Sequence, residues 1–240
     1  DAGAVWCWEA DELWRPTPAR AIAADSLGAI VQLVSAPRSP GGPALHCARQ
    51  RSGGVSCWGA GAWHIDVDRG EDEPRALPGA ANVRDLAVDR RLCVVLEGGA
   101  VRCSADEYAA PLRPIAGITD AVAVEVFGAD LCALGRGGVR CAGPSYGAAN
   151  DSVAVTGLGD VARLVAIEGA HCAVEPEGRH RCWGPGPAPR AHRMPELEGV
   201  RAVAERCAVH DDGRVSCWVH PRSCDSLPLC GQEPRLRDGR

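Results

Sequence analysis

The chain is expected to be all-β, with one antiparallel unit of about 40 residues recurring some six times. Three observations predict this. Cysteines recur in pairs nine or ten positions apart, a turn glycine lies inside each pair, and a run of small and β-branched residues precedes each pair.

The N-terminal copy is a half copy, in which Gly3 is followed by Val5-Trp6-Cys7-Trp8. The first full copy runs from Cys47-Ala48-Arg49 to Val55-Ser56-Cys57-Trp58. The next two are Cys93-Val94-Val95 to Val101-Arg102-Cys103 and Cys132-Ala133-Leu134 to Val139-Arg140-Cys141. The last two are Cys172-Ala173-Val174 to Cys182-Trp183 and Cys207-Ala208-Val209 to Val215-Ser216-Cys217-Trp218. Successive first cysteines from Cys47 are 46, 39, 40 and 35 residues apart.

Spacing alone makes each copy a β-hairpin. Where the cysteines are ten apart, a three-residue loop is centred between them: Arg51-Ser52-Gly53, Glu97-Gly98-Gly99, Pro176-Glu177-Gly178 and Asp211-Asp212-Gly213. All four end in glycine, the residue that a left-handed third loop position favours. Cys132 and Cys141 are nine apart, which centres a two-residue loop on Arg136-Gly137. Both spacings leave the cysteines directly opposite. Opposed Cβ atoms lie about 4.5–5.5 Å apart, slightly long for a disulfide but bridgeable with local twist.

The runs ahead of the hairpins (residues 29–34, 83–88, 121–126, 161–166 and 200–204) suit strands beside a tight axis, where small side chains fit. A Pro/Gly-rich loop and a further short element follow each hairpin, as at residues 75–79 and 153–158. No ten-residue helical period stands out. Antiparallel units of this size repeated radially are the signature of a β-propeller of five to seven blades, in a single domain over residues 1–240. A β-solenoid is the alternative, but its coils are usually shorter.

Composition narrows the class. Aromatic residues are only 4% of the 240, so Val, Ala, Leu, Cys and the tryptophans must supply the core. Every basic side chain is arginine, and the formal net charge is -5 with no basic block. A nucleic-acid partner therefore has no electrostatic footprint. Thirteen cysteines point to an oxidising compartment, extracellular, cell-surface or periplasmic. No apolar run approaches the ~18 residues of a membrane span. Asp1-Ala2-Gly3 offers no charged n-region or apolar h-region, so the chain reads as a mature or trimmed secreted protein.

The pattern His-Cys-Ala, turn Gly, Val-x-Cys-Trp-Gly resembles the bacterial, cysteine-bearing form of the regulator of chromosome condensation repeat. His46-Cys47-Ala48, His171-Cys172-Ala173, Cys57-Trp58-Gly59 and Cys182-Trp183-Gly184 carry the resemblance best, and it covers nearly the whole chain. It implies a propeller, commonly of seven blades. Members include nucleotide-exchange factors, chromatin binders, protein inhibitors of β-lactamase and modules of secreted bacterial proteins. Family repeats usually continue Asn-x-x-Gly-Gln-Leu-Gly after the Trp-Gly. Here residues 60–66 and 185–190 have diverged, so no contact residue carries over.

Five structural disulfides are expected: Cys47 with Cys57, Cys93 with Cys103, Cys132 with Cys141, Cys172 with Cys182 and Cys207 with Cys217. Zinc is disfavoured, because structural zinc sites use cysteines two to four residues apart. Redox catalysis would want Cys-x-x-Cys, which is missing. Cys7, Cys224 and Cys230 are left over. Cys7 beside a C-terminal strand at residues 226–230, a local Cys224–Cys230 bridge, and a Cys7 partner outside the chain all stay open. Asp66, Asp68, Glu71, Asp72 and Glu73 beside His64 could attract Ca²⁺, but they read better as a solvated acidic loop. His46 and His171 recur at one repeat position, as do Trp58, Trp183 and Trp218, and are read as structural and packing residues. His192, His210 and His220 are read as surface residues. Trp14 and Trp63 fall outside the repeat position and are the candidate binding aromatics. No catalytic motif, metal or cofactor is expected. The reading is a binding scaffold for a protein or glycan partner. The alternatives are a hydrolase or lyase working at a propeller channel mouth, and a structural envelope component.

Overall fold

Every blade begins with a strand whose one face must lie against a neighbour. The computed structural model describes residues 5–7, 20–21, 27–36, 45–59, 73–105, 111–167, 170–204, 207–218 and 236–238. The chain divides into two compact units, Asp1–Pro114 and Ile115–Arg240.

The first unit opens with a two-stranded pair, β1 (Trp6–Cys7) and β2 (Arg20–Ala21). Two antiparallel sheets of four strands follow. Blade one is β3 (Ile30–Ala36), β4 (Leu45–Gln50), β5 (Val55–Trp58) and β6 (Arg75–Ala76). Blade two is β7 (Val83–Val88), β8 (Leu92–Leu96), β9 (Val101–Cys103) and β10 (Arg113–Pro114). The second unit holds three more. Blade three is β11 (Ala121–Phe127), β12 (Asp130–Gly135), β13 (Gly138–Gly143) and β14 (Ala148–Ala154). Blade four is β15 (Arg163–Ile167), β16 (Ala170–Val174), β17 (His180–Trp183) and β18 (His192–Arg193). Blade five is β19 (Val200–Ala204), β20 (Cys207–His210), β21 (Val215–Trp218) and β22 (Leu236–Asp238). Each sheet is a meander in chain order, which is how propeller blades are built; solenoid coils stack in parallel.

Turn chemistry sets the register. Gly53, Gly99, Gly178 and Gly213 all have φ between 78° and 84°, the left-handed conformation the three-residue loop requires. In blade one, Gln50 N–H donates to Gly54 O at 2.8 Å, closing the turn on a hydrogen-bonded pair. Counting back with period two puts Cys47 and Cys57 at a non-hydrogen-bonded site, where strands approach most closely. The Cα atoms of Cys47–Cys57 are 4.1 Å apart, as are those of Cys93–Cys103. Those of Cys132–Cys141 and Cys172–Cys182 are 4.0 Å apart. All four pairs are disulfides. The approach is closer than generic opposed strands offer, because the loop length selects the narrow sites. Blade three has the two-residue loop, with Gly135 opposite Gly138, and keeps Cys132 opposite Cys141. Cys207 is disulfide-bonded and stands opposite Cys217.

The first strands carry the junctions between blades. β3 lies against β7, β11 against β15 and β15 against β19. Gln32 Nε2 donates to Asp85 Oδ1 at 2.7 Å and to Leu86 O at 2.9 Å across the first junction. One apolar cluster joins Val55, Cys57 and Leu77 of blade one to Val83, Leu86 and Val94 of blade two. Another joins Leu134 and Val139 of blade three to Leu164, Ala173 and Trp183 of blade four. In four of the five first strands a register shift leaves one extra residue near the start: Val31, Arg84, Val122 and Arg201. All four are exposed.

Candidate functional site

The repeat motif is spent on packing. His46 stacks on Trp58 with ring centres 6.0 Å apart, and Ser35 Oγ hydrogen-bonds its Nδ1 at 2.9 Å. His171 stacks on Trp183 at 6.4 Å. Both tryptophans are buried, and so are all eight cysteines of the four disulfides. Cys7 is placed in β1, with its backbone paired to Arg20. Trp14, Trp63, Cys224, Cys230, His64, His220 and residues 66–72 of the acidic loop lie outside the described residues.

Three groups escaped the sequence reading. The first is a junction cluster in the second unit. The strand position facing the first cysteine is Val34, Ala87, Val165 or Ala204 in four blades and Glu125 in blade three. His171 Nδ1–H of blade four donates to Glu125 Oε2 at 2.6 Å. Phe127 meets the same imidazole edge-on, and Tyr146 lies 6.0 Å from it. Burial, with the charges of Asp130 and Glu125, holds the Tyr146 phenol protonated far above the usual tyrosine range. A Glu–His pair of this kind orients general bases in enzymes. Here the imidazole is buried between aromatic rings, so the pair fastens one blade to the next.

The second group is His180, at the position where blades one, two, three and five carry valine. Its side chain is fully buried. Nδ1–H donates to Gly178 O at 3.0 Å, and Nε2 has no hydrogen-bond partner among the described residues. Burial, followed by the positive charge of Arg163, holds its pKa below the ordinary histidine value. The folded form keeps His180 neutral, while the unfolded chain takes up a proton near pH 6.5. Stability from this site is therefore complete above about pH 6.5 and declines as pH falls below it, by at most about 1.4 kcal/mol per pH unit. His180→Val is expected to raise the melting temperature, with a gap over wild type that widens between pH 7.5 and pH 5. Melts showing a pH-independent gap would refute this. His210, expected at the surface, is instead buried, because β20 turns it toward Ser216 Oγ at 2.5 Å.

The third group is the tip of the blade-four hairpin, a shallow recess lined by Gly159, Asp160, Glu175, Pro176, Glu177 and Arg179. Glu175 Oε2 accepts from Arg179 Nε at 2.7 Å and Oε1 from Arg181 Nε at 2.6 Å. Arg179 Nη2 also reaches Glu177 Oε2 at 2.6 Å. The hydrogen bond from Arg179, with that from Arg181, holds the Glu175 carboxyl below its usual range despite burial. The recess thus offers fixed charges of both signs. Its lining of carboxylates and a guanidinium is equipped to hold a polar partner.

Blades stapled across paired cysteines, with polar tips, define a disulfide-braced β-propeller. Within that class the chain is similar to yeast RCC1 (Prp20) in its complex with Kap60, at 15% identity and a TM-score of 0.61 over 89% of this chain and 62% of that one. It is similar to Prp20p of Saccharomyces cerevisiae at 14% identity and 0.58, covering 83% and 60%. Human WBSCR16 gives 15% identity and 0.60, covering 81% and 59%. The chain therefore spans about three-fifths of the length of these structures. The likeness establishes the fold as an RCC1-like β-propeller. No family model matches the sequence, and no curated protein is similar to it in sequence. No helix among the described residues is long and apolar enough to cross a membrane.

Proposed function

We propose that residues 1–240 act as one secreted or cell-surface binding domain that recognises a protein or glycan through the loops between blade strands. One observation carries this reading: nearly the same hairpin is presented five times with a different charge at its tip. Arg51, Glu97, Glu177 and the Asp211-Asp212 pair stand exposed on three-residue tips of one turn geometry, and Arg136 stands exposed on the two-residue tip of blade three. A constant frame with varied exposed ends is how scaffolds acquire specificity. The solved structures agree in kind, since Prp20p binds Gsp1p and histones and yeast RCC1 (Prp20) is bound by Kap60. Four buried disulfides support an oxidising compartment.

The test is capture by the immobilised, oxidised chain from the secreted fraction of its source and from a printed glycan panel. A ligand retained by wild type is expected to lose at least tenfold in affinity with Arg51→Glu or Arg136→Glu while the melting curve is unchanged. Retention that survives charge reversal at every tip would overturn the reading.

A further inference from the structure

In three blades the residue after the outer strand donates its backbone N–H to the same position of the strand before it. Leu77 donates to Val55 O, Val155 to Val139 O and Met194 to His180 O, each at 2.9 Å. The bond ties the end of one blade to the connection that leads into the next. Across the five hairpins this position reads Val55, Val101, Val139, His180 and Val215, so blade four alone sets a titratable side chain on it.

The imidazole lies on the same face of β17 as Cys182, two residues on. Cys182 belongs to the cluster that joins blade four to blade five through Leu197, Val200 and Ala208. The ring is fully buried there. Its Nδ1–H holds Gly178 O of the hairpin tip, and its Nε2 is an orphan among the described residues. The charged and titratable groups on the elements around it are Arg163 on β15, His192 on β18, Glu198 in the connection, and Arg201 and His210 on blade five. At the tip, Glu175 and Glu177 are held by Arg179. Burial and the charge of Arg163 oppose a proton on the ring, and they outweigh the backbone groups of Gly178 and Leu197, which favour one.

The two walls of this site differ in strength. One is a hairpin closed by the Cys172–Cys182 bridge. The other is the connection over residues 194–199, whose regular structure is the single 3-10 turn Pro195–Leu197. Leu197 is buried, while Pro195, Glu198 and Gly199 are exposed. Lifting this connection is the smallest movement that wets the ring, and such a local opening costs less than unfolding the domain.

We propose that His180 is a proton-operated latch on blade four: neutral, it keeps the connection 194–199 closed over the junction with blade five, and protonated it releases that connection while the blades stay folded. The open form takes up its proton near pH 6.5, the closed form only at lower pH. Opening is therefore insensitive to pH above about 6.5 and is favoured by up to about tenfold per pH unit below it. The same ring holds Gly178 O, so release also slackens the seat of the blade-four tip. The effect on a partner held at that tip rests on the binding role proposed above.

The test is amide hydrogen exchange of the oxidised full chain, followed by NMR between pH 7.5 and pH 5 and corrected for the intrinsic pH dependence of exchange. The opening constant at Met194 is expected to rise by about tenfold or more. Those at Leu77 and Val155, whose N–H groups bond to valines, are expected to change little. No partner enters the measurement, so its outcome is independent of the binding role. In His180→Val the Met194 amide is expected to follow Val155, and the comparison of the three wild-type amides stands without that variant. An opening constant at Met194 that ignores pH, a rise that persists in His180→Val, or an equal rise at all three amides would each overturn the proposal.

Discussion

Reducing the hairpin disulfides is expected to lower the melting temperature by on the order of 20 °C or more. In the chain-entropy model a bridge closing about ten residues contributes roughly 2–3 kcal/mol. Four such bridges together rival the ~5–15 kcal/mol that holds an ordinary domain folded. This chain leans on them more than most, because aromatic residues are only 4% of it. The bridged cysteines are also members of the core: Cys47 and Cys57 lie in the first junction cluster, Cys132 and Cys141 in the next, Cys172 and Cys182 in a third. Reduction removes the cross-link and also puts two thiols where one S–S unit was packed. Thermal melts by circular dichroism with and without a phosphine reductant measure the effect, and superimposable curves would refute it. Replacing Cys47 and Cys57 together with serine is expected to lose about one bridge's share, leaving the other hairpins cooperative.

The hairpins were legible in the sequence because their determinants are local. A left-handed glycine, a loop of countable length and a side-chain period of two are enough to place Cys132 opposite Cys141 even after a residue is dropped from the turn. The runs ahead of them were legible for the same reason, and strands β3, β7, β11, β15 and β19 fall on them. What separates the blades from one another was not. Glu125, His180 and His210 act across strands or between sheets, and a repeat pattern records only what is common to its copies. Their signal was the exception to the pattern: a carboxylate where other blades have Val or Ala, an imidazole where they have Val. Aligning the copies column by column would have marked Glu125 and His180, though not which partners they meet.

Trp183→Ala is expected to cost about 3–5 kcal/mol, the range for deleting a buried aromatic side chain. The indole belongs to one buried cluster with Tyr146, Val139, Ala173, Ala191 and the Cys132–Cys141 bridge. That cluster contains a covalent cross-link, and the His171–Glu125 pair holds the imidazole stacked on the indole, so it has little freedom to collapse into the space left. A poorly relaxing cavity is the costly kind. Loss of the stack on His171 also frees the imidazole that ties blade four to blade three. Trp183→Phe keeps an aromatic ring there and is expected to recover most of the loss. Urea unfolding of the three proteins measures the difference, and a cost for alanine under 1 kcal/mol would show that the cluster does not hold the junction. The tip of the same hairpin carries Glu175 between Arg179 and Arg181, held by bonds that do not involve the indole. Well below its melting temperature Trp183→Ala is therefore expected to bind a partner at that tip as wild type does. A loss of binding in the fully folded variant would mean that the core and the recognition loops are energetically one structure.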